Sequence, residues 1–307
     1  MNGPLKTATV VAIVAPSGYA QDTTAIERAD RLLSAQGCIV RHFHDPAARH
    51  LRFAATDAMR LAGLHAAARD PEVELVIVLR GGYGMSRLME DIDFALLAAS
   101  GKLFVGHSDI TALHMGLLAH GAVSFAGPTW CADFGAEVVS EFTLSQFWQC
   151  LHGPSHTVTI AAGGNPAVDA SGILWGGNLA MLTHLIGSPW MPAMEGGILF
   201  LEDINEHPFR IERMLLQLLH AGVLGCQSAI VLGDFSGVRT AAYDNGYDLA
   251  AVLAFLRSRT DVPIVTGLRF GHIADKVTLA VGSQARLRSH SGGIDLTMAA
   301  YPVLRRA

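Results

Sequence analysis

The sequence predicts an α/β protein of two domains, the first built on a parallel sheet and the second on a mixed one. Three observations carry this. The chain, at 307 residues, is long enough for two cores. Short continuous apolar runs alternate with helical patterns through its first half. Toward the C-terminus that alternation gives way to strands following one another directly. Strands that are apolar throughout are buried on both faces, as in a parallel sheet covered by helices on each side.

The elements follow in order. Residues 9–15 (TVVAIVA) predict a first strand, 23–36 a helix and 38–43 a second strand. The Ala/Arg/Leu-rich stretch 55–68 predicts a helix, and 73–79 (VELVIVL) another buried strand. The turn RGGYG, residues 80–84, then leads to a helix over 85–99 and a strand at 103–105. This N-terminal domain spans residues 1–152. Residues 153–169 turn rich in Pro, Gly, Ser and Thr around a short alternating stretch at 156–161, and predict a linker. The C-terminal domain, 170–307, opens on a glycine-rich turn, Trp175-Gly176-Gly177-Asn178, that starts a helix. Strands at 197–202, 229–233 and 263–266 alternate with helices at 209–221 and 249–258, and strands at 277–280, 285–289 and 294–298 close the chain.

Composition narrows the function. Half of the residues are hydrophobic, so the chain folds around ample core. A net charge of −5 without long runs of either sign argues against nucleic acid and suits small polar metabolites or peptides. No apolar run approaches the roughly 20 residues that span a bilayer. The first twenty residues carry a lysine, an apolar stretch and small residues, as a secretory leader does. The apolar piece is short, however, and runs into a Pro-Ser-Gly turn, which favours a first buried strand. Cys38, Cys131, Cys150 and Cys226 are scattered, the usage of a reducing compartment, so the cytoplasm is the expected location.

The most telling chemistry lies at residues 102–121, KLFVGHSDITALHMGLLAHG. A strand stops at Gly106, Ser108 follows, and a helix begins at once. Such a turn lifts one side chain above the sheet edge and aims free helix N–H groups at whatever it attacks, the logic of a nucleophile elbow. Gly106-His107-Ser108-Asp109-Ile110 matches only the first glycine of G-x-S-x-G. Serine is also favoured as a plain helix cap, and spacing alone does not separate the two readings. A nucleophilic serine needs a base and an orienting acid. Glu202 ends the strand ILFLE and His272 follows the strand PIVTG and the loop 268–271, so all three fall just after strands, where loops carry chemistry. By pattern alone Glu202 also reads as a surface carboxylate, and His272 is one of 14 histidines, with His107 a competitor. An amide of RGGYG, with that of Asp109, is placed to form an oxyanion hole, although the same turn also reads as a plain strand–helix connection. No H-E-x-x-H motif, Walker sequence or G-x-G-x-x-G is present, and His42/His44 lack an evident third ligand. Arg80 and Arg210 are candidate partners for a substrate carboxylate, and Trp175 and Asn178 for ligand contact; structural roles explain each at least as well.

At these residues the chain resembles the LD-carboxypeptidase family of serine peptidases, in its murein-tetrapeptide branch. The resemblance runs through VAPSGY, RGGYGMSRLMEDID, GHSDITALHMGLLAHG and LWGGNLAMLTHLIGSPWMP, then LEDINEHPFRIERMLLQLLHAG, DFSG, LAFLRSR and TGLRFGHIADKVTLAVG. It implies a Rossmann-like N-terminal domain and a C-terminal α/β domain with the active site between them. It places the nucleophile at Ser108, the acid at Glu202, the base at His272, and the oxyanion amides at Asp109 and Gly82. The implied reaction is release of terminal D-alanine from a murein tetrapeptide in peptidoglycan recycling, in the cytoplasm, by a homodimer with no metal or organic cofactor. Two alternatives stay open: a microcin-C-type self-immunity peptidase acting on peptidyl or aminoacyl nucleotide conjugates, and a non-enzymatic small-molecule-binding module in which Ser108 only caps a helix.

Overall fold

The computed structural model describes residues 8–161 and 163–304. Its first half alternates β1 (Val10–Val14), α1 (Thr24–Ala35), β2 (Ile39–His42), α2 (Asp57–Arg69), β3 (Leu75–Val78), α3 (Phe94–Ala99), β4 (Leu103–Gly106), α4 (Thr111–Ala119), β5 (Ser124–Ala126) and α5 (Glu141–His152). These five strands run parallel in the order β2-β1-β3-β4-β5. The apolar runs are continuous because both faces are covered. Val11 and Ile13 pack with Ile26, Ala29 and Leu33 of α1 on one side, while Val10, Ala12 and Val14 pack with Leu64 of α2, Phe94 of α3 and Leu113 of α4 on the other.

The helix expected over 85–99 is broken. A 3₁₀ turn, Met85–Arg87, precedes α3, because Asp93 accepts from Leu96 N at 2.8 Å and so caps a new helix.

The second half contains β6 (Ser155–Ile160), β7 (Asp169–Asn178), α6 (Leu179–Leu185), β8 (Ile198–Ile204), α7 (Pro208–His220), β9 (Ala229–Ser236), α8 (Leu249–Arg257), β10 (Ile264–Thr266), β11 (Leu279–Val281), β12 (Gln284–His290) and β13 (Gly293–Ala299). A mixed sheet runs β10-β9-β8-β7-β12-β13-β6, parallel from β10 to β7 and antiparallel beyond. Three expectations change here. The stretch taken for a linker holds β6, an edge strand paired with β13 whose alternate residues His156, Val158 and Ile160 are buried. Trp175-Gly176-Gly177-Asn178 is the end of strand β7 rather than a turn, since a Cβ on Gly176 would stand 2.0 Å from the Phe200 carbonyl oxygen of β8. β11 leaves the second sheet altogether and pairs antiparallel with β5 as the sixth strand of the first.

That crossing ties the halves together just past His272. Lys276, buried, forms an ion pair with buried Asp133, Thr143 Oγ1 donates to the Ala274 carbonyl at 2.6 Å, and Ser140 Oγ donates to Asp275 at 2.6 Å. Lys276→Met strands the Asp133 carboxylate in the interior. A loss of about 3–5 kcal/mol is therefore expected in urea unfolding.

Candidate active site

The carboxyl ends of β1, β3 and β4 face one edge of the first sheet, where parallel sheets bind ligands. After β4, His107 is extended and Ser108 takes φ +67°, the left-handed region that costs a non-glycine residue on the order of 1–2 kcal/mol. A 3₁₀ turn, Ser108–Ile110, then leads into α4. Ser108 makes no capping hydrogen bond, and its backbone sits where a cap residue does not. The cap reading fails; a strained serine between strand and helix is the geometry of a nucleophile elbow.

Two loops complete the pocket around it. A Cβ on Gly81 would stand 2.8 Å from Ser108 Cβ and 3.0 Å from its Oγ, so only glycine admits the hydroxyl here. Gly82, at φ +111°, turns the chain beside it. The Asp109 carboxylate accepts from Ser17 Oγ at 2.6 Å and from Met85 N at 2.9 Å, binding the loops after β1 and β3 to the elbow. Burial pushes that carboxyl up. From α4, His114 grips the strand end: its Nε2 donates to the Gly106 carbonyl at 2.9 Å and its Nδ1 accepts from Ser124 Oγ at 2.8 Å.

The acid and the imidazole come from the second half. Glu202 is fully buried, so the surface-carboxylate reading fails. It does not end its strand: β8 runs on to Ile204, and the register with β9 shifts between Leu201 and Asp203. Such an irregularity re-aims a side chain. The loop after β10 packs beside it, its Phe270 carbonyl accepting from Asp234 N at 2.8 Å. His272 on that loop donates from Nδ1 to Glu202 Oε2 at 2.8 Å, which leaves Nε2 as a proton acceptor. Asn178 donates to both Glu202 Oε1 and Asp203 Oδ1 at 3.1 Å, and its own backbone N–H donates to Thr111 Oγ1 of α4 at 2.9 Å. Through its side chain and its backbone, Asn178 thus links the acid to the helix that follows the serine. Burial, with Glu202 alongside, pushes the Asp203 carboxyl up to about 6.

His107 is not the base. Its Nδ1 donates to the Gly127 carbonyl at 3.0 Å, and burial holds its pKa well below the ordinary 6.5. Its ring instead meets that of His272 edge-to-face, with centroids 5.0 Å apart, so the imidazole of His272 lies beside the residue next to Ser108. Ser108 and His272 share no hydrogen bond in this structure; catalytic bonds of this kind often close only around substrate. Trp175 is core, bonded to Gln227 at 2.9 Å, and Arg210 is engaged by Glu206.

Burial also predicts acid sensitivity. His114 is pushed down to about 4 and His107 falls in the same direction. Below pH 6.5 the unfolded chain takes up these protons while the folded one does not, so stability falls as pH drops from about 6.5 toward 4. His114 alone accounts for about 3 kcal/mol across that window, at about 1.36 kcal/mol per unit. Urea unfolding at pH 7, 5.5 and 4.5 should show the decline, and His114→Gln should flatten it.

The chain is similar to known proteins along most of its length. Residues 11–127 match the LD-carboxypeptidase N-terminal domain and residues 171–287 the LD-carboxypeptidase C-terminal domain, both of peptidase family S66. The chain belongs to the LD-carboxypeptidase family. A muramoyltetrapeptide carboxypeptidase structure from Oxalobacter formigenes is 52% identical, with a TM-score of 0.92 over 96% of this chain and 100% of that one. The murein tetrapeptide carboxypeptidase of Pseudomonas aeruginosa is 30% identical over 91% of this chain and 93% of its own. The microcin C7 self-immunity protein MccF, in complex with glutamyl sulfamoyl guanosine, shares the fold at TM-score 0.87 and 20% identity, over 98% of each chain. Among the described residues, no helix is long and apolar enough to cross a membrane.

The sequence pattern does not single out the residues behind the site: Asp203, His114 and the carboxylate of Asp109. Asp203 had a visible signal, a second acid directly after Glu202. Nothing in the spacing distinguished His114.

Proposed function

We propose that this LD-carboxypeptidase removes the terminal D-alanine from the murein tetrapeptide L-Ala-D-Glu-meso-diaminopimelate-D-Ala, in the cytoplasm and as a homodimer. The observation that carries the chemistry is a serine in left-handed backbone geometry beside a histidine whose Nδ1 is held by a buried carboxylate. The substrate follows from the murein-tetrapeptide enzymes that the chain resembles.

In this reading His272 Nε2 takes the Ser108 proton as Oγ attacks the diaminopimelate carbonyl. The tetrahedral oxyanion is met by the backbone N–H groups of Asp109 and Gly82. His272 returns the proton to the departing amine, D-alanine leaves, and an acyl-enzyme on Ser108 remains. Water, deprotonated by His272, then attacks the ester and releases the tripeptide. Glu202 stays ionised throughout, orients the ring and stabilises the imidazolium.

A competition assay separates this reading from a nucleotide-conjugate peptidase. With equal concentrations of murein tetrapeptide and glutamyl sulfamoyl guanosine, D-alanine release should dominate. Faster release of glutamate from the conjugate would reverse the assignment.

A further inference from the structure

The strand order β2-β1-β3-β4-β5 opens a crevice between β1 and β3, where the direction of winding changes. The loops flanking that crevice are joined by Gly18 N donating to the Gly81 carbonyl at 3.3 Å, and Gly81 lies against Ser108. Their outer rim interleaves arginines with aromatic rings. The Arg49 guanidinium lies 4.6 Å above the Tyr19 ring, while Arg80 Nη1 donates to the Tyr19 carbonyl at 3.2 Å. Arg52 lies 5.6 Å above Tyr83, a ring that is 42% exposed. Phe53 sits under Arg60 at 4.7 Å and Arg87 at 5.0 Å.

Only part of this charge is answered. Asp57 pairs with both Arg60 and Arg87 at 2.6 Å. Among the described residues, Arg49, Arg52 and Arg80 form no ion pair, although the chain as a whole carries −5. Arg49 is held by the carbonyls of Pro46 and Ala48, and Arg52 is exposed. A guanidinium held over a ring, as in Arg49 and Arg52, or by a carbonyl, as in Arg80, is a pre-organised fork for a carboxylate, and less side-chain freedom is lost when it binds.

We propose that Arg49, Arg52 and Arg80 form a subsite for free carboxylates on the acyl side of the scissile bond, so that the enzyme selects anionic peptides. This rests on the tetrapeptide reading, in which the acyl part carries the α-carboxylate of D-glutamate and the second carboxylate of diaminopimelate. The leaving residue is a single alanine, whose carboxylate stays within a few bonds of the attacked carbon. Arg52 stands beyond Tyr83, two residues past the glycine that touches Ser108, and so suits carboxylates farther along the peptide.

Binding is measured by calorimetry at low salt on Ser108→Ala protein, with and without Arg52→Glu or Arg52→Gln. The ligands are the free tetrapeptide and the same peptide with both acyl-side carboxylates amidated. Arg52→Glu should weaken the free peptide about tenfold and Arg52→Gln about threefold. The amidated peptide should bind weakly to the Arg52 protein and lose nothing further with either change. Affinity for the free peptide within twofold in both variants, equal weakening of both peptides, or no measurable binding of the free peptide overturns the subsite. Turnover of the free tetrapeptide by the unaltered enzyme, followed in parallel, tests the activity itself, so the two readings fail separately.

Discussion

Ser108→Ala should lower kcat for D-alanine release by on the order of 10⁶, because the covalent route disappears with the hydroxyl and His272 has no proton to take. His272→Ala should cost about as much, and the double variant no more than either alone, since the two groups act as one unit. The fold provides an independent check. Ser108 sits at φ +67°, so alanine there keeps the backbone strain, whereas glycine relieves it. Ser108→Gly should therefore be inactive yet more stable than Ser108→Ala by about 1 kcal/mol in urea unfolding. A serine serving only the fold gives the opposite pattern, with turnover preserved in both variants.

Glu202→Gln carries the second large effect, a fall in kcat on the order of 10⁴ with little change in KM. The cause is the tautomer. Glu202 Oε2 accepts the Nδ1–H of His272 at 2.8 Å, which leaves Nε2 free to accept the serine proton. A glutamine that turns its NH₂ toward Nδ1 moves the ring proton to Nε2, where it blocks proton transfer. Asn178 favours this misplacement, because its NH₂ already occupies the other oxygen of residue 202 and leaves the glutamine carbonyl to satisfy it. Steady-state kinetics on the variant, with its melting temperature as control, checks this; a loss below tenfold would remove Glu202 from the catalytic unit.

The two predictions depend on features of unequal visibility in the amino-acid order. The parallel sheet was legible because β1, β3 and β4 are apolar throughout, and the strand–serine–helix sequence at Ser108 marked one edge of it. Glu202 and His272 were not legible from spacing: their hydrogen bond joins β8 to a loop 70 residues later, whose only long-range signature is the resemblance to a family. β6 reads as a linker because an edge strand with Ser155, Thr157 and Thr159 on its open face has the composition of a loop. β11 looked like any short apolar strand, since nothing local tells which sheet will take it. Trp175–Asn178 was misread because glycines that let β7 approach its neighbours resemble glycines that turn a chain. In each case the deciding contact is distant in sequence.

Mass spectrometry of purified protein incubated with murein tetrapeptide reads the proposed cleavage itself. A tripeptide product and free D-alanine are expected from the unaltered enzyme, and neither when Ser108 or His272 is replaced by alanine. Intact tetrapeptide after prolonged incubation, or a product that persists at similar rate without the Ser108 hydroxyl, would contradict it.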